Sequence, residues 1–573
     1  MKHYILQLVL ASGFLFIHCK RIPSQKAATV ANVVKVDKTQ IETIYKSFEL
    51  KPIIDTSISA FVDQNAKYAC YLAATKEFYK KRNGEYAWFS KEGITPRIDM
   101  FLNLINGSEH SLSIVSDTIV HDYNHIREDS SVKRAQYSLQ NLELKLTLTF
   151  FEFADKEWAG CDEKLLKKLE WYIPKKKLKY QDVLDSLLKN DSKDVSLFKA
   201  PIYEQYDLLK NYLHRYKEIE DKGGWIQIFA NKKAYKLGDT SKVISLIKKR
   251  LYITGDLPKS DTLPVFDSTM ALAVRNFQKR FGMKEDGKVG ALVLKEMNTP
   301  IEQRLVQIII NMERCRWVPF DLKGEYFIVN IPEFKLHAYQ GNKCLWDMNV
   351  VVGKATTKTV IFIGNLQYIV LNPYWVVTSN IFTKEFVPKL RKNAGYLKSQ
   401  DMELAKANTP DLLLDPATIN WNLSESHYHN LVARQRPGVN NALGKVKFIF
   451  PNQYSIYLHD TPSKSLFSES NRSFSHGCIR VEKPEALAKF LLRDDPNWTD
   501  KNLQRAWDKK TEQYVPLKKK IPVIIAYFTA WVDENGKVNF RNDIYGHDAK
   551  MSKLLIDRPQ NQIISVDSKS TKK

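Results

Sequence analysis

The spacing of apolar positions divides the chain into a helical first part and a β-rich second part. From about 41 to 230, apolar residues recur every three or four positions between charged pairs, as in YDLLKNYLHRY at 206–216, which is typical of amphipathic helices. The run LQNLELKLTLTFFEF at 139–153 alternates in its middle as a strand would, and we predict a helix from its surroundings. Gly223 and Gly224 end this region. We therefore expect a helical scaffold domain over 41–230.

A compact helical unit is predicted over 236–300. Its second helix begins after Asp267, a residue type that favours the position before a helix. One face of this helix repeats at spacings of four, three and four residues: Met270, Val274, Phe277 and Phe281. We interpret this face as a small hydrophobic core.

From about 320 to 550 the period becomes that of strands. Six β-branched or aromatic runs indicate strands: YFIVNI (326–331), MNVVV (348–352), YIVLN (368–372), VKFIF (446–450), SIYL (455–458) and PVIIAY (522–527). Asn535-Gly536 predicts a late hairpin. Between about 383 and 440 the strand signal gives way to polar, helix-like sequence, which we interpret as an inserted lid or subdomain. The fold class is therefore multi-domain α+β.

The chain begins with the features of an export signal. A short basic start precedes an apolar run over 4–17, which is shorter than the ~20 residues of a membrane span. We expect a signal peptide over 1–19, a polar tether over 20–40 and a periplasmic or cell-envelope location. Cys19 lies where a lipoprotein signal places its acylated cysteine, and it is either lipidated or incidental. We expect a disordered tail over 551–573.

The amino-acid composition excludes several classes of protein. The chain has 573 residues, of which 44% are hydrophobic, and this excludes a disordered protein. Its 87 Lys and Arg against 64 Asp and Glu give a formal charge of +23. Basic and acidic residues interleave, so we expect an anionic cell envelope rather than nucleic acid as the partner. Six cysteines in 573 residues exclude a disulfide-dense scaffold. Disulfide pairing stays open for four of them: Cys70, Cys161, Cys315 and Cys344.

Candidate chemistry concentrates in YLHDTPSKSLFSESNRSFSHGCIRV at 457–481. A cysteine is a nucleophile as its thiolate, so Cys478 needs a base or a nearby cation. His459 is the candidate base, and Arg480 adds positive charge. Gly477 permits a backbone geometry in which the N–H groups of Gly477 and Cys478 form an oxyanion hole.

Other interpretations of these residues are open. His459, His476 and Cys478 are zinc-type ligands, although no fourth ligand is evident. A buried, inert cysteine is a second alternative. A papain-like protease would place its cysteine before its histidine, which is the opposite of the order here.

The chain resembles a known family of cell-wall enzymes. The SHGCIR sequence at 475–480 is similar to the catalytic motif of the L,D-transpeptidases with a YkuD-like catalytic domain. AVRNFQKRFG and DGKVG within 236–300 resemble a three-helix peptidoglycan-binding domain. Four further segments resemble the large periplasmic YcbB-like members: NMERCRWVP (311–319), LNPYWVVTSNIFTKE (371–385), RPGVNNALGKVKFIFPN (436–452) and YLHDTP (457–462).

The resemblance implies a β-sandwich-like catalytic domain over 320–550 whose insertion at 383–440 is a capping subdomain. It makes Cys478 the nucleophile and His459 the general base and acid, with His476 and Gly477 at the oxyanion hole and Arg480 positioning substrate or stabilising the thiolate. No metal or organic cofactor is implied. Six further residues are expected to bind substrate: Ser475, Tyr457, Trp375, Asn440, Asn441 and Gly444.

The implied reaction is peptidoglycan 3→3 cross-linking through a cysteine thioester, in cell-wall biogenesis, remodelling and cell shape, on stem peptides and glycan. Carbapenems are expected to acylate Cys478. The acceptor stays open between a neighbouring stem, water, a free D-amino acid and an envelope protein. A non-catalytic wall-binding protein is the remaining alternative.

Overall fold

The computed structural model describes residues 50–90, 93–106, 119, 121–122, 132–161, 163–175, 177–189, 200–319 and 322–555. The predicted signal peptide, the tether and Cys19 lie outside these residues. The chain divides into two compact units: Met1–Gly107, Ser111–Thr149 and Asp191–Lys193 form the first, and Ser108–His110, Phe150–Asn190 and Asp194–Lys573 form the second.

The first unit is helical around a buried carboxylate. Oε1 of Glu143 accepts hydrogen bonds from the N–H of Ala87 at 2.6 Å and the hydroxyl of Tyr79 at 2.8 Å. The helix predicted over 139–153 is confirmed; its alternation was misleading because Leu142, Leu144, Leu146 and Leu148 are all buried. The elements are the helices Asp55–Gln64, Ala66–Tyr71, Leu72–Lys81, Pro96–Asn106 and Val132–Ala154, the last ending in the second unit, and the paired strands Phe89–Ser90 and Gly93–Ile94.

The second unit begins with helical segments and a three-helix core. The segments are Asp155–Ala159, Glu163–Lys168, Tyr180–Leu188 and Gln205–Asp221; the core contains Lys242–Ile253, Ser268–Arg280 and Ala291–Met297, with the paired strands Ala234–Tyr235 and Val289–Gly290. Asp267 caps the second core helix by accepting from the N–H of Met270 at 2.7 Å. Phe277 and Phe281 stack at 4.1 Å. The predicted aromatic face is thus hydrophobic core.

Helix Ile301–Cys315 leads into a nine-stranded sheet, and the α+β class is confirmed. Its strands are β1 (Glu325–Asn330), β2 (Lys335–Gln340), β3 (Lys343–Gly353), β4 (Ile363–Leu371), β5 (Val446–Ile449), β6 (Leu458–His459), β7 (Ser473–Ser475), β8 (Ile479–Val481) and β9 (Gln513–Ala526). The order is β7-β3-β8-β6-β5-β4-β9-β1-β2, and an added β2–β3 pairing closes eight strands into a ring.

All six predicted runs fall on or beside strands of this sheet, but β2, β7 and β8 were not predicted. The run at 455–458 was placed too early. Ser455 has a φ of 54°, which interrupts the extended backbone, so that β6 begins at Leu458.

The insertion is not simply helix-like, and this part of the prediction was wrong. Short helical turns (Ser379–Ile381, Phe382–Phe386, Val387–Lys392, Tyr396–Ser399, Pro416–Thr418 and Glu425–Tyr428) accompany a four-stranded sheet of Thr409–Leu414, Met402–Lys406, Leu431–Gln435 and Trp375–Val376. The sequence MELAK favours helix by propensity, yet it forms a strand because Met402 and Leu404 bury one face in the insertion's own core.

The end of the described chain packs on the sheet. It contains helices Pro484–Leu492, Asp500–Asp508 and His547–Leu555, whereas two 3-10 turns lie between earlier strands, at Ile331–Glu333 and Lys464–Ser468. The hairpin predicted at Asn535-Gly536 is confirmed by the pairing of Ala530–Val532 with Val538–Phe540. The expected tail from 551 begins too early, because Met551 is buried within the last helix.

Among the described residues, no helix is long and apolar enough to cross a membrane. Four cysteines in this part of the chain are free thiols: Cys161, Cys315, Cys344 and Cys478.

Candidate active site

Strands β6 and β8 bring the candidate nucleophile and base to one face of the sheet. They are parallel neighbours, with Leu458 opposite Ile479 and His459 opposite Arg480. Leu458 and Ile479 are fully buried. Because side chains alternate between the faces of a strand, the opposite face carries His459 and Arg480, together with Tyr457 and Cys478, which directly precede the two strands. The pairing therefore assembles four polar side chains that are separated by a long loop in the sequence.

The ring of His459 is fixed by its own backbone. Nδ1 lies 2.5 Å from the carbonyl oxygen of Asp460, so the Nδ1–H donates to it and the lone pair is left on Nε2. Burial, reinforced by the positive charge of Arg480, lowers the pKa of His459 to about 3. The imidazole is therefore neutral at physiological pH and available as a base.

Asp460 is held in place by a glycine. Its carboxylate accepts from the N–H of Thr461 at 2.6 Å, the N–H of Lys445 at 2.8 Å and Nζ of Lys464 at 2.5 Å. Gly444 has a φ of 59°, and a Cβ there would lie 2.2 Å from Oδ2 of Asp460. Gly444 thus supports the residue that orients His459, and its expected contact with substrate stays a prediction.

The thiol of Cys478 is protonated in this arrangement. Burial raises its pKa to about 11, against the opposing effects of hydrogen bonds from Tyr457 and the charge of Arg480. Sγ lies 3.5 Å from the carbonyl oxygen of Ser455, which accepts the S–H. The rings of Tyr457 and His459 meet edge to face at 5.7 Å. The site therefore holds a neutral thiol beside a neutral imidazole.

The loop before Cys478 is stabilised by Ser475. Its Oγ donates to the carbonyl of Cys478 at 2.6 Å and accepts from the N–H of Gly477 at 3.1 Å. Gly477 has a φ of 118°, and its carbonyl accepts from Oγ1 of Thr359 at 2.8 Å. Because the N–H of Gly477 donates to Ser475 here, the expectation that it serves the oxyanion hole stays a prediction.

His476 points to the insertion. Its Nε2 lies 2.7 Å from Oε1 of Glu385, in the π-helical turn Phe382–Phe386. Both side chains are partly exposed, at 40% and 43%. His476 is therefore directed away from a shared ligand set with His459 and Cys478, and no group of three or more His, Cys, Asp or Glu side chains in the described chain is arranged to hold a metal ion.

Arg480 forms no salt bridge with the residues that the structure describes. Its Nε is buried and has no hydrogen-bond partner among the described residues. Burial lowers its pKa, while the neighbouring Cys478 raises it. A half-buried guanidinium on the same face as the thiol is suited to receive an anionic group of a ligand.

Three other residues expected to bind substrate make contacts within or beside the insertion, and their expected role stays a prediction. Trp375 packs on Phe386 at 6.3 Å between ring centroids. The amide of Asn441 donates to the carbonyls of Pro373 at 3.0 Å and Arg436 at 2.9 Å, so its polar atoms are used internally. Asn440 is exposed, and its amide lies 3.4 Å from Oδ2 of Asp401.

Three residues at the site were not predicted: Glu385, Thr359 and Ser455. They lie 91, 118 and 23 positions from the loop residues they contact. No local pattern marks them in the sequence, because each contributes one oxygen atom whose position is set only by the fold.

Comparison with known proteins finds family matches for three regions of the chain. Residues 324–525 match the YkuD family, described as "L,D-transpeptidase catalytic domain", 73–213 match "Scaffold domain", and 240–297 match "Putative peptidoglycan binding domain". A curated protein of Haemophilus influenzae, "Putative L,D-transpeptidase", is 33% identical over 258 residues, which are 45% of this chain and 50% of that protein. The chain thus spans about half the length of this relative.

Solved structures with detectable similarity include an L,D-transpeptidase from Stackebrandtia nassauensis, with 12% identity, 52% of this chain and 97% of that chain covered, and a TM-score of 0.21. Another is an L,D-transpeptidase from Mycobacterium smegmatis, with 13% identity, 35% and 58% covered, and a TM-score of 0.18. The assignment rests on the sequence matches. Residues 324–525 are therefore similar to an L,D-transpeptidase catalytic domain, and residues 240–297 are similar to a peptidoglycan-binding domain.

Proposed function

We propose that the chain is a peptidoglycan L,D-transpeptidase that forms 3→3 cross-links through a thioester on Cys478. The observation that carries this proposal is the pairing of β6 with β8, which places Cys478 and the tethered imidazole of His459 on one face. The YkuD match over 324–525 supports the reaction class.

The first step acylates the enzyme. Sγ of Cys478 attacks the carbonyl between the third stem residue, a diamino acid, and the terminal D-residue, while Nε2 of His459 takes the thiol proton. The carbon–nitrogen bond then breaks, and His459 returns this proton to the departing amine of the D-residue. The product is a thioester, and the free D-amino acid leaves.

The second step transfers the acyl group. The side-chain amine of a neighbouring stem attacks the thioester carbonyl and gives a proton to His459. The carbon–sulfur bond breaks, and the proton passes to the sulfur, which restores the thiol. The new amide joins two third residues, which is a 3→3 cross-link.

Two groups are proposed to support these steps. Arg480, which has an unpartnered buried Nε, receives the carboxylate of the donor stem. The N–H of Cys478 stabilises the oxyanion, since the N–H of Gly477 donates to Ser475. Because Cys478 and His459 are both neutral before the reaction, the thiol proton moves to Nε2 of His459 as the sulfur attacks.

The wider setting is also a proposal. The domain over 240–297 would hold the enzyme to peptidoglycan. The apolar segment over 4–17 and the net charge of +23 favour an exported protein in an anionic envelope. Lipid attachment through Cys19 would fix it to the membrane, and carbapenems would acylate Cys478 as substrate mimics.

Muropeptide analysis tests the reaction. The purified chain is incubated with tetrapeptide-rich peptidoglycan, and Cys478→Ala is compared with Cys344→Ala, which removes another half-buried free thiol. We expect 3→3 dimers from the wild type and Cys344→Ala, and none from Cys478→Ala. Tripeptides or exchanged D-residues alone would assign water or a D-amino acid as the acceptor. Equal activity in Cys478→Ala would refute the thioester mechanism.

A further inference from the structure

A short segment far from the motif in sequence contacts the loops that flank the nucleophile. Helix Glu163–Lys168 ends in a turn in which the N–H of Trp171 donates to the carbonyl of Leu166 at 3.0 Å. Trp171 then forms a parallel bridge with Ile361, and the N–H of Tyr172 donates to the carbonyl of Ile361 at 3.0 Å. The segment is thereby fixed beside the loop that precedes β4.

Glu170 reaches the first of these loops. Its Oε2 lies 3.0 Å from Nζ of Lys358, and its Oε1 pairs with Lys550. The carbonyl oxygen of Lys358 would be 3.5 Å from a Cβ on Gly477. The next residue, Thr359, donates to the carbonyl of Gly477 at 2.8 Å. Glu170 is therefore linked through one loop to the residue before Cys478.

Tyr172 reaches the second loop. Its ring lies 5.6 Å from the ring of Tyr454, and Tyr454 also packs on Phe362 at 4.9 Å. Tyr454 directly precedes Ser455, whose carbonyl accepts the S–H of Cys478 at 3.5 Å. Glu170 and Tyr172, two positions apart in one segment, thus contact both loops that flank the nucleophile.

The backbone of Glu170 supports a role for its side chain. Glu170 has a φ of 60°, at the end of a helix where glycine is the usual residue. A non-glycine residue in this conformation costs about 1 kcal/mol. The carboxylate at this position is therefore present at a local conformational cost.

We propose that Glu170 and Tyr172 are positioning residues for Cys478, acting through the loops at 354–361 and 452–456. This inference rests on the proposed function for its consequence in catalysis. In this proposal the segment at 169–172 determines how deeply the thiol of Cys478 is buried and in which direction it points.

The test uses the full chain with four variants. Glu170→Gly removes the carboxylate and relieves the backbone strain at this position. Lys550→Met removes the other cation that pairs with Glu170 and leaves the pair with Lys358 in place. Tyr172→Ala removes the ring, and Tyr172→Phe keeps it. Two quantities are measured: the acylation rate of Cys478 with a tetrapeptide donor, and the pH midpoint of Cys478 alkylation by iodoacetamide, read by peptide mass spectrometry. Thermal unfolding of each variant reports folding.

We expect Glu170→Gly and Tyr172→Ala to lower the acylation kcat about tenfold with little change in KM. Their alkylation midpoints should fall by about one pH unit, because water reaches a less buried thiol. Lys550→Met should match the wild type, and Tyr172→Phe should restore both values. Unchanged midpoints in Glu170→Gly and Tyr172→Ala, or equal losses in Lys550→Met, would overturn the proposal.

The two proposals fail in different ways. If the wild type is not acylated by the donor, the proposed function fails, and the alkylation midpoints still decide whether the segment positions the thiol. If the wild type is acylated and the midpoints do not move, only the positioning role is refuted.

Discussion

Replacing Gly444 by alanine is expected to disturb the site through Asp460. The new Cβ would lie 2.2 Å from Oδ2 and 2.3 Å from Cγ of Asp460, which is well inside contact distance, so the carboxylate has to move. A non-glycine residue at the φ of 59° adds about 1 kcal/mol. Losing the hydrogen bond from the N–H of Lys445 costs about 2 kcal/mol more, since it is made to a charged group. The total is about 3 kcal/mol.

The effect on activity follows from the same displacement. The carbonyl of Asp460 orients His459 at 2.5 Å, and a misplacement of about 1 Å in a catalytic group costs about 100-fold in rate. Denaturant unfolding and stopped-flow acylation measure the two effects. Gly438→Ala is the matched control, because a Cβ there meets nothing within 4 Å. If Gly444→Ala behaves like Gly438→Ala in both assays, the supporting role of Asp460 is refuted.

Three further predictions concern the pH response and the polar contacts. Because the pKa of His459 is lowered to about 3, the acylation rate should stay constant between pH 7 and pH 5, and an inflection near 6.5 would contradict this. Arg480→Gln should raise the pKa of Cys478, because the charge of Arg480 lowers it, and should raise KM for the donor about tenfold, whereas Arg480→Lys keeps both effects in part. Glu385→Gln should leave thermal unfolding unchanged, since an exposed pair contributes about 0.2–1 kcal/mol. Limited proteolysis of the insertion at 383–440 should become faster. An unchanged digestion rate would show that the contact between Glu385 and His476 does not hold the insertion in place.

The sequence was sufficient to predict elements that residue types mark within one short segment. The strand runs such as 326–331 and the hairpin at Asn535-Gly536 are marked by β-branched residues and turn residues, and the structure contains them. The contiguous SHGC motif identified the candidate nucleophile, but the two strands that flank it were not predicted. The helix over 139–153 was predictable only from its surroundings, because burial on nearly all sides removed the amphipathic period.

The parts that were missed depend on tertiary contacts. β8 is three residues long and is stabilised as a strand by β3 and β6 on either side, so its own sequence carries little signal. The strands of the insertion form against a core that no single segment can build. The hydrogen bonds of Gly477 to Ser475 and of Asn441 to Pro373 could not be predicted either, because both partners are placed by the fold.

The neutral state of the proposed catalytic pair has a chemical consequence. Burial raises the pKa of Cys478 to about 11 and lowers that of His459 to about 3, so neither group gains a charge by exchange with the other before substrate binds. Thiolates, not thiols, are oxidised and exchange with disulfides. In the exported location that we propose, a protonated thiol resists both reactions. Activation then depends on a carbonyl held within reach of Sγ, because only the attack itself lowers the affinity of sulfur for its proton. The positions of Ser455 and Gly477 around Cys478 therefore matter for the rate more than the resting pKa of the thiol.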